Sequence, residues 1–80
     1  MGEEERIARR DRRQAKKRAL ILRAAEEVLV ERGLPGLTVA AVAERADLSK
    51  PAVYYYFDSR ESLLAGLLVD YFVAETEALL

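Results

Sequence analysis

The chain contains no cysteine and no histidine. The first absence excludes disulfides, thiolate nucleophiles and Cys-based metal sites. The second removes the commonest general base and the commonest transition-metal ligand. Catalysis would have to run on carboxylates, Lys, Ser, Thr or Tyr alone, and no pair of such groups stands at a meaningful spacing. No enzymatic activity and no cofactor are therefore expected. Tryptophan is also absent, and only four glycines and two prolines punctuate 80 residues, so turns are few and the length suits one domain. No apolar run reaches membrane length. The longest, Leu63 to Ala74, is interrupted by Gly66 and Asp70 and falls short of the roughly 20 residues needed to cross a bilayer. The acidic and then arginine-rich start carries no apolar core of a targeting signal. A cytoplasmic location with no membrane partner is the expectation.

What is present is 51% hydrophobic and 34% charged, a composition suited to a mostly helical globular fold. The net charge of −1 points to no partner, but its distribution does. Residues 6–18 carry Arg6, Arg9, Arg10, Arg12, Arg13, Lys16, Lys17 and Arg18 against Asp11 alone, a local charge of +7. If that segment is helical, the cations at 6, 9, 10, 13, 16 and 17 fall along one side. A membrane-surface helix does not fit, because Ile7 is its one bulky apolar residue. A solvated tail and an arm that contacts a polyanion both remain open. Neutralising four phosphates would give a salt slope of roughly −3.6 on duplex DNA.

From Glu3 to Arg32 there is neither Gly nor Pro, and Ile21, Ala24, Ala25, Val28 and Leu29 recur at helical spacing. Gly33 and Pro35 end this first helix; the basic run either continues it or lies unfolded as an arm. Thr38 caps a second helix over Val39 to about Arg45, with Val39, Val42 and Ala43 on one face. Ala46-Asp47-Leu48 forms a turn. Ser49 caps a third helix, whose first turn tolerates Pro51 and whose buried side is Val53 and Phe57. Asp58 or Ser59 caps a fourth helix from about Arg60. Two short helices joined by a tight turn and braced by a longer one make a helix-turn-helix. Leu48 and Val53 pointing inward leave Ser49, Lys50, Ala52, Tyr54 and Tyr55 outward, with Pro51 at the leading edge. That surface is slim at its tip, carries one cation and is flanked by phenols, so it can enter a DNA major groove.

From Arg18 to about Leu63 the residues resemble, without a gap, the TetR family of bacterial transcriptional regulators. The resemblance rests on Ile21-Leu22, Ala24-Ala25, Glu31-Arg32-Gly33, Leu37-Thr38-Val39 and Val42-Ala43, then on Ser49 through Phe57 and Ser59 through Leu63. It implies an all-α, homeodomain-like, three-helix DNA-binding bundle with the start of a long fourth connecting helix. Residues 1–17 would form the basic arm, 18–62 the helix-turn-helix, and 63–80 the connection toward a ligand-binding and dimerising domain absent from this chain. It further implies that Thr38, Tyr54, Tyr55 and Arg60 hold phosphates while Ser49, Lys50, Pro51 and Ala52 enter the major groove, Lys50 donating to guanine. Arg13, Lys17 and Arg18 of the basic run would add phosphate contacts. Asp47 and Pro51 depart from the family's usual small residues; the first adds a negative charge near the DNA backbone, the second removes an amide.

The expected function is sequence-specific reading of double-stranded DNA by a repressor acting as a homodimer, with a small-molecule effector only through the missing domain. Glu26, Glu27, Asp70, Glu75 and Glu77 are expected to lie away from the DNA. On the fourth helix, Leu64, Leu68, Tyr71 and Phe72 are expected to cover the core, while Leu67, Val69 and Val73 face elsewhere. A helix apolar nearly all round needs a further partner surface. The alternative function is accordingly a protein-interaction or dimerisation module using the apolar face of that helix.

Overall fold

The computed structural model describes residues 2–79, with side chains through residue 73. It holds α1 (Glu3–Gly36), α2 (Val39–Ala46), α3 (Lys50–Tyr56) and α4 (Arg60–Leu79), and no strand occurs among the described residues. The all-α expectation holds, and the basic run proves to be helical, continuous with the rest of α1. Glu3, Glu4 and Glu5 in its first turn suit the positive end of the helix dipole. No described residue before Ile21 is buried, so residues 3–20 project as a rod of about 27 Å at 1.5 Å per residue. Glu75 and Glu77 lie outside the described side chains.

Each boundary has a local cause. At Gly33 the backbone takes φ 72° and ψ −178°, breaking the helix before one further turn that includes Pro35; that combination is essentially restricted to glycine. The Thr38 hydroxyl oxygen accepts from the Ala41 amide at 3.1 Å and opens α2. Asp47 closes it in the left-handed region, at φ 58° and ψ 45°. The Leu48 amide donates to the Ala43 carbonyl at 2.9 Å and the Asp47 amide to the Glu44 carbonyl at 3.2 Å, the bonding of a Schellman cap. The Ser49 hydroxyl accepts from the Ala52 amide at 3.2 Å to open α3, with Pro51 in the first turn. For α4 the capping side chain is Ser59, which accepts from the Ser62 amide at 3.0 Å.

The core is built from Ile21, Leu22, Ala24, Ala25 and Val28 of α1, Leu37 of the connection, Val39, Ala41, Val42 and Ala43 of α2, then Val53, Phe57 and Leu63. No polar or charged residue is buried among those described. Each fully buried aliphatic side chain contributes about 1.5–3 kcal/mol. That burial holds α2 and α3, of 8 and 7 residues, because helices this short are not stable alone. At Gly66 a Cβ atom would come to 3.0 Å from the side chains of both Leu22 and Phe57, so the α4 backbone packs directly against those two core side chains.

One expectation is corrected on α4. Leu63, Leu64 and Leu67 pack on the core, whereas Leu68, Tyr71 and Phe72 are exposed, together with Val69 and Val73. The reason is the opposing surface. Beyond the close approach at Gly66 the groove between the helices stays open, with Ala19, Leu22 and Leu29 on its α1 wall and Leu68 and Tyr71 on its α4 wall, so those two side chains line it without being covered.

Arg45 of α2 pairs with Glu31, and with Glu27 at 3.6 Å, both on α1. The Arg45 hydrogen bond and charge hold the Glu31 carboxyl below its ordinary range and raise the Arg45 guanidinium. A carboxyl lowered by folding stabilises the fold fully above its unfolded pKa, and that contribution is lost as pH falls through the folded value. Replacing Glu31→Gln should therefore lower the melting temperature slightly at neutral pH, with the gap to wild type closing on acidification through and below the usual Glu range. Replacing Gly33→Ala should cost about 1–3 kcal/mol in urea unfolding, because alanine must occupy a strained backbone region there.

Candidate nucleic-acid interface

The outward face of α3 follows from its inward one. With Val53 fully buried and Phe57 nearly so, the remaining helical positions turn away from the core. Lys50, Pro51, Tyr54 and Tyr55 are exposed, as is the capping Ser49, while Ala52 and Tyr56 are half-buried. Lys50 and Tyr54 are one turn apart on one face, and Pro51 and Tyr55 on the adjacent one. The tip is narrow because Ser49, Pro51 and Ala52 are small. Tyr54 and Tyr55 expose 49% and 71% of their surface, enough for each to present its hydroxyl to a phosphate.

Tyr55 does not stand alone. Its hydroxyl oxygen accepts from Gln14 Nε2 at 3.2 Å, across the 41 residues separating α3 from the projecting half of α1. Its ring packs edge-on against Tyr56, with centroids 5.0 Å apart. Tyr56 in turn lines an open groove with Leu20, Gln14 and the cations Arg6, Arg9, Arg10, Arg13, Lys16 and Lys17. The structure thus brings the basic stripe and the aromatic side of α3 together. Gln14 was missed in the sequence reading. Its signal was its position, one turn from both Arg10 and Lys17 on the same stripe.

Arg18 is exposed, and its guanidinium lies 5.2 Å from the centroid of the Phe57 ring. It therefore braces the end of α3 by a cation–π contact. Arg60, expected as a phosphate clamp, is also engaged inside the chain. Its Nε donates to the Leu37 carbonyl at 2.7 Å, and its Nη2 to the Leu34 carbonyl. The Leu34 carbonyl also accepts from the Leu37 amide at 3.2 Å, so Arg60 bonds both ends of the final turn of α1. The guanidinium has five N–H donors, so two such bonds still leave donors directed elsewhere. The bond to Leu37 also sets Arg60 beside Thr38, which is exposed at the N-terminus of α2. Thr38 and Arg60 thus form a second polar group, and Gln14, Tyr55 and the basic groove form the first.

Among the described residues no group of acidic, His or Cys side chains could hold a metal ion, and no helix is long and apolar enough to cross a membrane. A slim exposed helix carried on a tight left-handed turn, braced from behind by a third helix and flanked by cations, defines a helix-turn-helix DNA-binding domain. Residues 21–67 match the family described as bacterial regulatory proteins, tetR family, and the chain belongs to that family.

Relatives agree. The chain is 35% identical over 63 residues to the HTH-type transcriptional regulator TtgR of Pseudomonas putida, covering 78% of this chain and 30% of that protein. It is 42% identical over 52 residues to the HTH-type transcriptional regulator BetI of Burkholderia cenocepacia, covering 65% and 27%. To the class A tetracycline repressor protein of transposon 1721 from Escherichia coli it is 40% identical over 47 residues, covering 59% and 22%. The chain thus spans less than a third of the length of these relatives. No solved structure matches it.

Asp47 is the residue at which conformation and charge oppose each other. A non-glycine residue in the left-handed region costs about 1–2 kcal/mol, partly offset by the greater unfolded-state freedom of glycine. Asp47→Gly is expected to raise stability by about 0.5–1 kcal/mol in urea unfolding, whereas Asp47→Asn should leave it nearly unchanged. Both remove a negative charge from the turn before α3, so both should strengthen binding to random-sequence duplex DNA by a similar factor in fluorescence anisotropy.

Proposed function

We propose that this chain is the DNA-reading part of a cytoplasmic transcriptional regulator that acts as a repressor on double-stranded DNA. In this reading α3 lies in the major groove. Ser49, Lys50, Pro51 and Ala52 approach base edges, Lys50 donating to guanine O6 and N7 while Pro51 and Ala52 suit a thymine methyl. Thr38, Tyr54, Tyr55 and Arg60 position the domain on phosphates, with Arg13, Lys17 and Arg18 of α1 adding cations. The observation that carries the reading is the exposed face of α3 from Ser49 to Tyr55, linked through Tyr55 to a helix bearing a +7 segment.

The working protein is proposed to be a homodimer, so that two copies of α3 meet half-sites related by two-fold symmetry. Any small-molecule effector would act through a domain beyond this chain. The apolar side of α4, with Phe72 exposing 66% of its surface, supports a protein surface covering that helix, from a further domain or from a second copy. The relatives, HTH-type transcriptional regulators, support a regulatory role without catalysis.

The test uses the duplex that the protein enriches from a random-sequence pool. Lys50→Ala should cost about 1–3 kcal/mol on that duplex and flatten selectivity at one or two base pairs. Tyr54→Phe should weaken binding about equally across sequences, because it removes a phosphate contact. Binding that ignores both substitutions would sink the reading and favour the protein-interaction alternative.

A further inference from the structure

We propose that the projecting half of α1 is a rigid basic rod that grips duplex DNA on the flank of the site read by α3, lengthening the footprint without reading bases. The inference rests on the DNA-reading assignment of α3 and extends it to a second, sequence-independent contact surface. Its basis is geometric. The rod has no buried residue among those described before Ile21, so packing does not account for its surface. Six cations, at positions 6, 9, 10, 13, 16 and 17, recur every three or four residues and converge on one groove. That groove also contains Tyr56, and Gln14 on the same stripe donates to the hydroxyl of Tyr55. The basic side of the rod therefore faces the way the phenols of α3 face, and not away from them.

Length and charge then set what the rod can reach. Residues 6–13, the basic part, extend about 12 Å beyond the Gln14 contact, or roughly three to four base pairs at 3.4 Å each. The partner is duplex backbone, because evenly spaced cations on a straight helix match a line of phosphates, whereas the groove offers no built pocket for a single base or small anion. The stripe also has a defined end. Glu3, Glu4 and Glu5 occupy the tip, and phosphates repel them, so contact stops near Arg6. Gln14 is a positioning residue in this arrangement. Its hydrogen bond sets the azimuth of the rod against α3, and the Tyr55 hydroxyl keeps its proton free to donate to a phosphate.

The experiment compares wild type with a variant in which Arg6, Arg10, Arg13 and Lys17 are all replaced by Gln, on the duplex enriched from a random pool. The duplex is offered with long flanks and with flanks trimmed to the base pairs that the enriched sequence fixes. Circular dichroism and melting confirm that the variant folds, since none of the four positions is buried. Wild type is expected to bind the long duplex about tenfold or more tightly than the trimmed one, with the gain saturating after roughly three to four flanking base pairs. The variant should lose that length dependence, and its salt slope should fall by about 3.6, while its preference for the enriched sequence over a scrambled one is retained. Gln14→Leu should reduce the length dependence without changing the number of cations. A variant whose length dependence and salt slope match wild type overturns the rod. A wild type with no sequence preference at all overturns the assignment of α3 instead, and with it any meaning of a flank; a Lys50→Ala protein that loses selectivity but keeps its length dependence supports both.

Discussion

The angle between α2 and α3 depends on one shared burial. Neither helix is long enough to persist in water, so both exist because Val42, Ala43, Val53 and Phe57 enter a core already lined by Ile21, Leu22, Ala25 and Val28. The left-handed turn at Asp47 sets the direction in which the chain re-enters. Within α3 itself Val53 is the single buried residue, a minimal anchorage for seven residues. It has a functional consequence: one buried position, plus Phe57 at the end and Tyr56 partly packed on the core, fixes the rotation of the helix and leaves Lys50, Pro51, Tyr54 and Tyr55 exposed. A more deeply buried α3 would be more stable and less able to enter a groove.

Much of this was legible in the residues. Apolar positions at helical spacing marked α1 and α2, and Thr38 and Ser49 announced two helix starts that the hydrogen bonds bear out; of Asp58 and Ser59, both candidates to cap α4, the bond falls to Ser59. The turn expected at Ala46-Asp47-Leu48 is made by Asp47 in the left-handed region. What pattern could not give were the contacts that depend on the final angle between helices. Gly66 reads as an interruption of an apolar run, yet it is the point where α4 meets Leu22 and Phe57. Leu68, Tyr71 and Phe72 looked like core because apolar pattern reports what a residue would bury, not whether a partner surface stands opposite. The state of the basic run was equally open from sequence, since helix formers rich in like charge suit both a helix and a frayed arm.

The overall charge of −1 misleads about electrostatics in the same way. At physiological ionic strength the Debye length is about 8 Å, so exposed acids on the far side of α1 and on α4 act weakly on DNA held against α3. Of the rod's cations, Arg10, Arg13 and Lys17 lie within one helical turn of Gln14, which touches Tyr55, and so act most directly on anything held there. A chain with a slight excess of acid can thus present a strongly positive face. The one acid placed against that trend, Asp47, sits in the turn where geometry asks for glycine or its nearest polar substitutes.

Arg60 shows why interface and scaffold cannot be separated here. Its guanidinium reaches back from the first turn of α4 to the Leu34 and Leu37 carbonyls, so the start of α4, the end of α1 and the capped start of α2 meet at one side chain. Lysine could not hold this junction in the same way, because a single ammonium lacks the planar fork that meets two carbonyls with fixed geometry. The same helix then runs past Gly66, where its backbone rests against the Leu22 and Phe57 side chains, and emerges with Leu68, Val69, Tyr71, Phe72 and Val73 exposed. Its first turn is tied to the DNA-facing end and its later turns carry the largest uncovered apolar side chains. A protein surface that covered those later turns would be joined to Thr38 through a stiff helix and two hydrogen bonds, with no flexible segment between them.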